Sequence, residues 1–505
     1  MLSAPDADSL NETSGFSMNG RAARASAGGG TDARPYATTS EVLPSPACLR
    51  PSRFNYATID PQARVWLLHN FATGRTARLD PLSYGLYAGA PELLARGSLS
   101  PESPLVRSLE QAGFLTRLTP EAELGALRHA TFASCYGSGV LTLTVCPTLA
   151  CNFSCPYCYE NRRSGAMTQE VQDRLVDFVR CEVERFATKR IFVVWFGGEP
   201  LLRPDIVEAL SQRLMGIARE HELGYGAAIV TNASLLTPEA IELLRRCQVD
   251  DLQVTLDGPT PATNDPFRRA RDGRGSFDRI MGNLERVPAG FRLKVRCNLN
   301  RTNIDLLDEM VALCRDLDAR IGAEVTLVPG IMDADVAVDD GARDAAATFS
   351  EVGRRLAQAG FTGQDSVGVR MADRFDGTFC GSQRARTYVV DELGNLYRCW
   401  EDCGKVEMSF GNLIELVRPA PSGTGATDRP TVDFVRADTI KMARYMDLAW
   451  PGDDPQCGAC PILPVCMGGC PHRFMKSGVR RCPWFKDDLD AYVLRCAQEA
   501  QGTQT

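Results

Sequence analysis

Cys151, Cys155 and Cys158, in the run Cys-Asn-Phe-Ser-Cys-Pro-Tyr-Cys, set three thiolates in one short stretch just after the strand-like Leu141 to Val145. On a helix this spacing would put all three on one face, but Pro156 inside the run argues for a loop wrapped around its ligand. A structural zinc site or an ordinary four-iron four-sulfur cluster takes four protein ligands. Three Cys in one loop therefore suggest a cubane with one iron left open. A zinc loop completed by Cys146 is the plainer alternative, and the spacing alone leaves it standing.

A second set of thiols lies toward the C-terminus: Cys380, then Gly394 with Cys399 five residues on, then Cys457, Cys460, Cys466, Cys470 and Cys482. Alone, Cys457-x2-Cys460 with Cys466-x3-Cys470 would also suit a zinc ribbon. The chain has 19 Cys, an odd number that counts against complete internal pairing, and the close spacings favour metal binding over disulfides. Cys181, Cys247, Cys297 and Cys314 fall in helix-like or strand-like segments and read as buried small hydrophobes. Only four His are present, His69, His129, His221 and His472, so histidine-driven acid-base chemistry is poorly supplied.

These residues need elements to position them. Val140–Val145, Ile191–Trp195, Ala227–Val230, Leu252–Leu256, Leu293–Asn298 and Ala323–Val328 are strand candidates, alternating with helical faces such as Val171, Leu175, Phe178 and Val179. Six such βα units imply an α/β fold with a parallel sheet. Residues 1–50, rich in Ser, Ala and Gly, are expected to be disordered. Residues 51–130 read as a small α+β module, with strands at Tyr56–Ile59 and Val65–Leu68, helices at Leu82–Ala95 and Leu105–Ala112, and a strand starting at Phe114. Residues 131–330 hold the βα units, 331–370 a helical connector, 371–490 the Cys-rich domain and 491–505 a tail. Arg418 to Gly425 reads as an exposed loop. Asp391 to Asn395 resembles a hairpin turn that places Cys399 at a hairpin's end.

With 56 Lys and Arg against 63 Asp and Glu, the net charge of −7 gives no basic footprint for nucleic acid. No apolar run approaches the roughly 18 residues of a membrane span, and the first 50 residues lack a secretory core, so a cytoplasmic location is expected.

The Cys151 loop, with Tyr157 just before its third Cys, resembles the CxxxCxxC loop of the radical SAM superfamily. The seven C-terminal Cys resemble the SPASM extension of that superfamily. The resemblance implies a partial (β/α)6 TIM-like barrel, S-adenosylmethionine and three [4Fe-4S] clusters, one of them at Cys151, Cys155 and Cys158. It implies an outer auxiliary cluster on Cys457, Cys460, Cys466 and Cys482, and an inner one on Cys380, Cys399 and Cys470. Either Cys403 completes the inner cluster or one of its irons is open. Gly197-Gly198-Glu199-Pro200 matches the motif that binds the methionine amino group: the glycines let backbone carbonyls approach and Glu199 offers negative charge to the ammonium. Thr231, Asn232, Thr255 and Asp257 resemble positions contacting the ribose and carboxylate, with ordinary turn and cap chemistry as the alternative. Arg268 falls where relatives often carry an Arg, though Asn264 replaces the His of that run.

The small module loosely resembles, in element order, the winged-helix peptide-recognition elements of peptide-modifying relatives; a plain structural cap is the alternative. The function implied is oxidative modification of a ribosomally made peptide through a 5′-deoxyadenosyl radical, giving a thioether or carbon-carbon link. The partners implied are a precursor peptide and a flavodoxin or ferredoxin-type electron donor. Formylglycine formation on a protein, as in anaerobic sulfatase maturases, is an alternative disfavoured by Trp400 and Glu401, because those relatives carry Asp directly after the corresponding Cys. A non-catalytic iron-sulfur carrier is the other, disfavoured by the intact Gly197–Pro200 motif.

Overall fold

A computed structural model describes residues 49–137, 139–331, 355, 377–419 and 429–502. The expected disorder of the first 48 residues, nearly all of the helical connector and most of the Arg418–Gly425 loop lie outside that range. Six strands, Val140–Val145, Arg190–Trp195, Gly224–Thr231, Val249–Thr255, Arg292–Leu299 and Glu324–Ile331, pair in chain order and all in parallel. Helices such as Gln169–Arg185, Pro204–Glu220, Pro238–Arg246 and Leu307–Arg320 return the chain between them. The result is a mixed α/β fold around a parallel-rich sheet, consistent with a TIM-like architecture.

The sheet extends beyond these six. Thr387–Val390 adds in parallel to the free edge of Val140–Val145, turns back antiparallel through Asn395–Tyr397, and Gly411–Asn412 completes nine strands. The turn is made at Gly394, whose φ of +84° sits in the left-handed region that favours glycine. The C-terminal Cys-rich region is thereby bonded directly to the strand that leads into the Cys151 loop.

The two faces of the sheet differ in chemistry because successive side chains alternate. Leu141, Leu143, Val145, Ile191, Val193, Trp195, Leu252, Val254, Leu293 and Val295 join the main apolar core with the helices. The opposite face carries Thr142, Thr144, Phe192, Val194, Ala228, Val230, Gln253, Thr255, Lys294 and Arg296. There Val194 and Ala228 form a separate small cluster with Phe192 and Val230.

The N-terminal module holds three antiparallel strands, Asn55–Asp60, Val65–Asn70 and Arg75–Leu79, with Leu115–Thr116 paired to Arg50–Pro51. The third strand, Arg-Thr-Ala-Arg-Leu, was not expected, since its charged alternation offers little apolar signal. The helix expected over Leu82–Ala95 is two, Pro81–Ala88 and Ala90–Ala95, broken at Gly89. The stretch expected as a tail largely continues as a helix, Leu489–Gly502. That helix packs on the three-stranded sheet, where Tyr492 stacks on Phe71 and Phe485 at ring separations of 5.8 and 4.5 Å. No helix among the described residues is long and apolar enough to cross a membrane.

Candidate functional site

The Cys151 loop starts one turn past the first strand and lies against the Gly197–Pro200 turn. Gly198 N–H donates to Thr148 O and Glu199 N–H to Ala150 O, at 3.2 and 2.9 Å. A side chain at Gly197 (φ +109°) would meet Thr148 O at 2.5 Å, and one at Gly198 would collide with the Ala150 carbonyl. The two glycines therefore let this turn press on the backbone that leads into Cys151.

Burial raises the pKa of both Cys151 and Cys158, and the nearby Cys155 adds to each shift. Burial pushes Cys151 up to about 11. As free thiols they would stay protonated at neutral pH, and metal binding is what would deprotonate them. Phe153 N–H donates to Cys151 Sγ at 3.4 Å and Asn232 Nδ2 reaches it at 3.9 Å.

Glu199 is held on three sides by its own chain. Its carboxylate is fully buried and accepts from Leu201 N–H (3.0 Å), Thr231 Oγ1 (2.7 Å) and Asn232 N–H (2.7 Å). It cross-links the ends of the second and third strands. Burial raises its pKa despite these bonds. Pro200 opens the short 3-10 turn that Glu199 caps.

Asp257 is committed similarly: Oδ1 accepts from Asn298 N–H at 2.9 Å and Oδ2 from the Tyr157 hydroxyl. Arg268, also buried, donates to Tyr157 Oη at 3.0 Å and lies 5.5 Å over the Phe153 ring. It brings a cation beside the Cys151 loop, a role the sequence left doubtful. Asn264, at the position of the missing His, accepts from Asp257 N–H and donates to Ser276 Oγ, so it shapes the turn. Thr255 is buried at the end of the fourth strand.

The C-terminal thiols fall into two neighbourhoods. Burial raises the pKa of Cys466 to about 12, with Cys482, Cys457 and Cys460 adding to the shift, and Lys486 Nζ donates to Cys482 Sγ at 3.2 Å. Burial likewise raises Cys399, whose neighbours are Asp402, Cys380 and Cys470. Arg398 stitches the inner set together: its guanidinium donates to the Ser382, Arg384, Ala385 and Thr387 carbonyls, which joins the Cys380 loop to the residue before Cys399.

Cys403 lies elsewhere. Its Sγ is 3.5 Å from Cys146 Sγ, and both thiols are buried. Cys146 thus faces Cys403.

Tyr159 links the first and inner neighbourhoods. Burial raises its pKa, with contributions from Glu160, Glu401, Cys158 and Cys399. Arg163 bridges the buried Asp391 (2.7 Å) and Glu392, tying the end of the Cys151 loop to the hairpin turn. Beyond Cys399, the Tyr445 hydroxyl donates to Asp402 Oδ2 at 2.6 Å and lies 2.9 Å from His472 Nδ1. Arg163, Tyr159, Tyr445 and Trp400 had no local sequence signal, because each acts across a long chain separation. Among the described residues, no three His, Cys, Asp or Glu converge on the position of a single metal ion.

The donor chemistry of the first loop fits an iron-sulfur group: Cys151, Cys155 and Cys158 share one short loop, and N–H groups are directed at Cys151. Residues 145–295 match the radical SAM superfamily. The chain is 33% identical over 188 residues to mycofactocin maturase MftC of Mycolicibacterium smegmatis, covering 36% of this chain and 42% of that protein. It is 30% identical over 187 residues to the AdoMet-dependent heme synthase of Methanosarcina barkeri, covering 36% and 49%. The chain therefore matches less than half the length of these curated relatives. The solved structure of native anSMEcpe with bound AdoMet shares the fold, with a TM-score of 0.51 and 15% identity, over 72% of this chain and 99% of that one. The loop that holds Cys151, Cys155 and Cys158, and the turn that presses on it, both lie within the segment that matches the radical SAM superfamily.

Proposed function

We propose that this protein is a radical SAM maturase that oxidatively modifies a ribosomally made peptide, forming a thioether or a carbon-carbon link. The observation that carries the reading is that the Cys151 loop lies against the Gly197–Pro200 turn within the segment that matches the radical SAM superfamily, while Trp400, the residue after Cys399, bonds to the strand that leads into that loop. Cys151, Cys155 and Cys158 would hold the first four-iron cluster. Cys380, Cys399 and Cys470 would hold the inner auxiliary cluster, and Cys457, Cys460, Cys466 and Cys482 the outer one. When bound, the first cluster and S-adenosylmethionine supply a 5′-deoxyadenosyl radical for hydrogen abstraction.

The protein's part is binding and orientation. Arg268 would offer its charge to the cofactor carboxylate, and Tyr157 and Asp257 hold Arg268 and the fourth strand's end in place. Backbone groups of the Gly197–Glu199 turn would take the methionine amino group, while Glu199 keeps that turn rigid. Residues 51–130 would recognise the peptide leader through an edge of the three-stranded sheet. A flavodoxin or ferredoxin-type donor would supply the electron, in a cytoplasmic setting.

The test is anaerobic reconstitution followed by iron, zinc and 5′-deoxyadenosine analysis. Roughly twelve iron atoms per chain are expected, with cofactor cleavage under reduction. Changing Cys151, Cys155 and Cys158 together to Ala should remove about four iron atoms and all cleavage. Stoichiometric zinc with little iron would refute the reading.

A further inference from the structure

Trp400 follows Cys399, yet its side chain belongs to the parallel sheet. Its Nε1–H donates to Thr144 Oγ1 at 2.9 Å, on the strand that leads into the Cys151 loop. Its ring lies 4.6 Å from that of Phe196 at an interplanar angle of 34°. It packs on the cluster of Val194 and Ala228, with Phe192 and Val230 alongside. It also borders the second apolar cluster that contains Leu149, Phe196 and Tyr397, beside Tyr159. A residue of the Cys-rich region thus covers the sheet face turned away from the helices, and it remains partly exposed.

That face is divided. Around Trp400, the second and third strands contribute the apolar Phe192, Val194, Ala228 and Val230, and Arg190, at the start of the second strand, lies 5.4 Å over the Phe192 ring. On the fourth and fifth strands the same face carries Gln253, Thr255, Arg296 and Asn298, where Arg296 Nε donates to Asn298 Oδ1 at 2.9 Å. A peptide segment needs such a division: one side chain turned to an apolar wall, and backbone amides turned to polar groups.

Resting on the radical SAM reading above, we propose that Trp400 is a specificity-determining residue, forming the wall that admits a small apolar side chain of the peptide beside the Cys151 loop. The physical grounds are two. Desolvating a charged side chain against Phe196, Val194 and an indole whose N–H is already used would leave that charge unpaired. The indole also occupies the ground over Val194 and Ala228, so a second large ring would have to displace it and break its bond to Thr144.

The test uses the full-length protein as purified and N-acetyl-photoleucine methylamide, whose diazirine inserts into its surroundings on irradiation. Adducts mapped by peptide mass spectrometry are expected at Phe192, Val194, Phe196, Val230 and Trp400. N-acetyl-leucine methylamide should suppress them at concentrations at least about tenfold lower than the tryptophan, aspartate or lysine amides, a tenfold ratio being 1.4 kcal/mol of discrimination. In Trp400→Ala the tryptophan amide should compete as well as the leucine amide; in Trp400→Phe the leucine preference should persist. Adducts scattered elsewhere, or equal competition by the charged amides, would overturn the proposal. So would an unchanged order of competitors in Trp400→Ala. None of these readings depends on cofactor cleavage, so a protein that cleaves no cofactor would sink the proposed function while leaving this result to stand on its own.

Discussion

Replacing Glu199 with Ala separates two roles that one motif position can play. The carboxylate accepts three bonds in a site from which water is excluded, two from the Leu201 and Asn232 backbone N–H groups and one from the Thr231 hydroxyl. An unsatisfied buried donor costs about 1–3 kcal/mol, so the two N–H groups and the hydroxyl together represent several kcal/mol. Against this stands the burial of the carboxylate itself, which raises its pKa and is relieved when the group is removed. The difference is an expected loss of about 2–4 kcal/mol, concentrated at the turn that joins the second and third strands. Amide hydrogen exchange on the full chain reads this locally: exchange at Leu201 and Asn232 should accelerate by about two decades, since each tenfold is 1.4 kcal/mol. Exchange in the helix Leu489–Gly502, far from the turn, should be unchanged. If both amides keep protection within about threefold of wild type while S-adenosylmethionine affinity falls, Glu199 serves the cofactor directly and the cross-link argument is wrong.

His69, buried between Phe71 and Tyr492, has its pKa lowered by burial to about 4. The folded state therefore holds it neutral below the ordinary value of 6.5, so its stability contribution is full above pH 6.5 and declines as pH falls toward 4. At pH 5 the loss is about 2 kcal/mol, and His69→Gln should flatten that part of the urea-unfolding profile between pH 7 and 5; an unchanged slope would count against it. Tyr492→Ala should loosen the N-terminal module by about 3–5 kcal/mol, read as faster exchange in Val65–Asn70, because it removes a buried ring between Phe71 and Phe485. Cys403→Ser should leave iron content intact, because Cys403 faces Cys146, whereas Cys399→Ser should lower it by about four atoms; equal losses in both would return Cys403 to the inner set.

The cysteine loops were legible in the sequence because their information is local. Cysteines separated by two to five residues must share a short stretch of chain, and Pro156 in the first run argues against a helix there. The hairpin turn at Asp391–Asn395 and the alternation of strands with helices were legible for the same reason, since turn residues and side-chain period act over a few positions. What stayed hidden depends on separation. Arg75–Leu79 became a strand because Val65–Asn70 offered an edge to pair with, and its own residues do not ask for one. Cys403 and Cys146 are 257 positions apart and meet only because Thr387–Val390 adds to the edge of the first strand.

The same addition explains how the two cysteine regions come together in the fold. Thr387–Val390 runs parallel to Val140–Val145 in register, Thr387 opposite Thr142 and Val390 opposite Val145. Both strands therefore end at the same level, one feeding Cys151 and the other turning toward Cys399. A one-residue slip would turn Tyr388 and Val390 from the helix-packed core to the opposite face, where Val389 now packs with Cys146 and Tyr397. The buried Arg163 bridge to Asp391 and Glu392 supports that register from outside the sheet. Trp400 adds a bond from one residue past Cys399 to Thr144, two residues short of Cys146. The separation between the Cys151 loop and the Cys399 neighbourhood is thus set by strand pairing and these two side chains, which fixes the space in which a substrate side chain would have to fit.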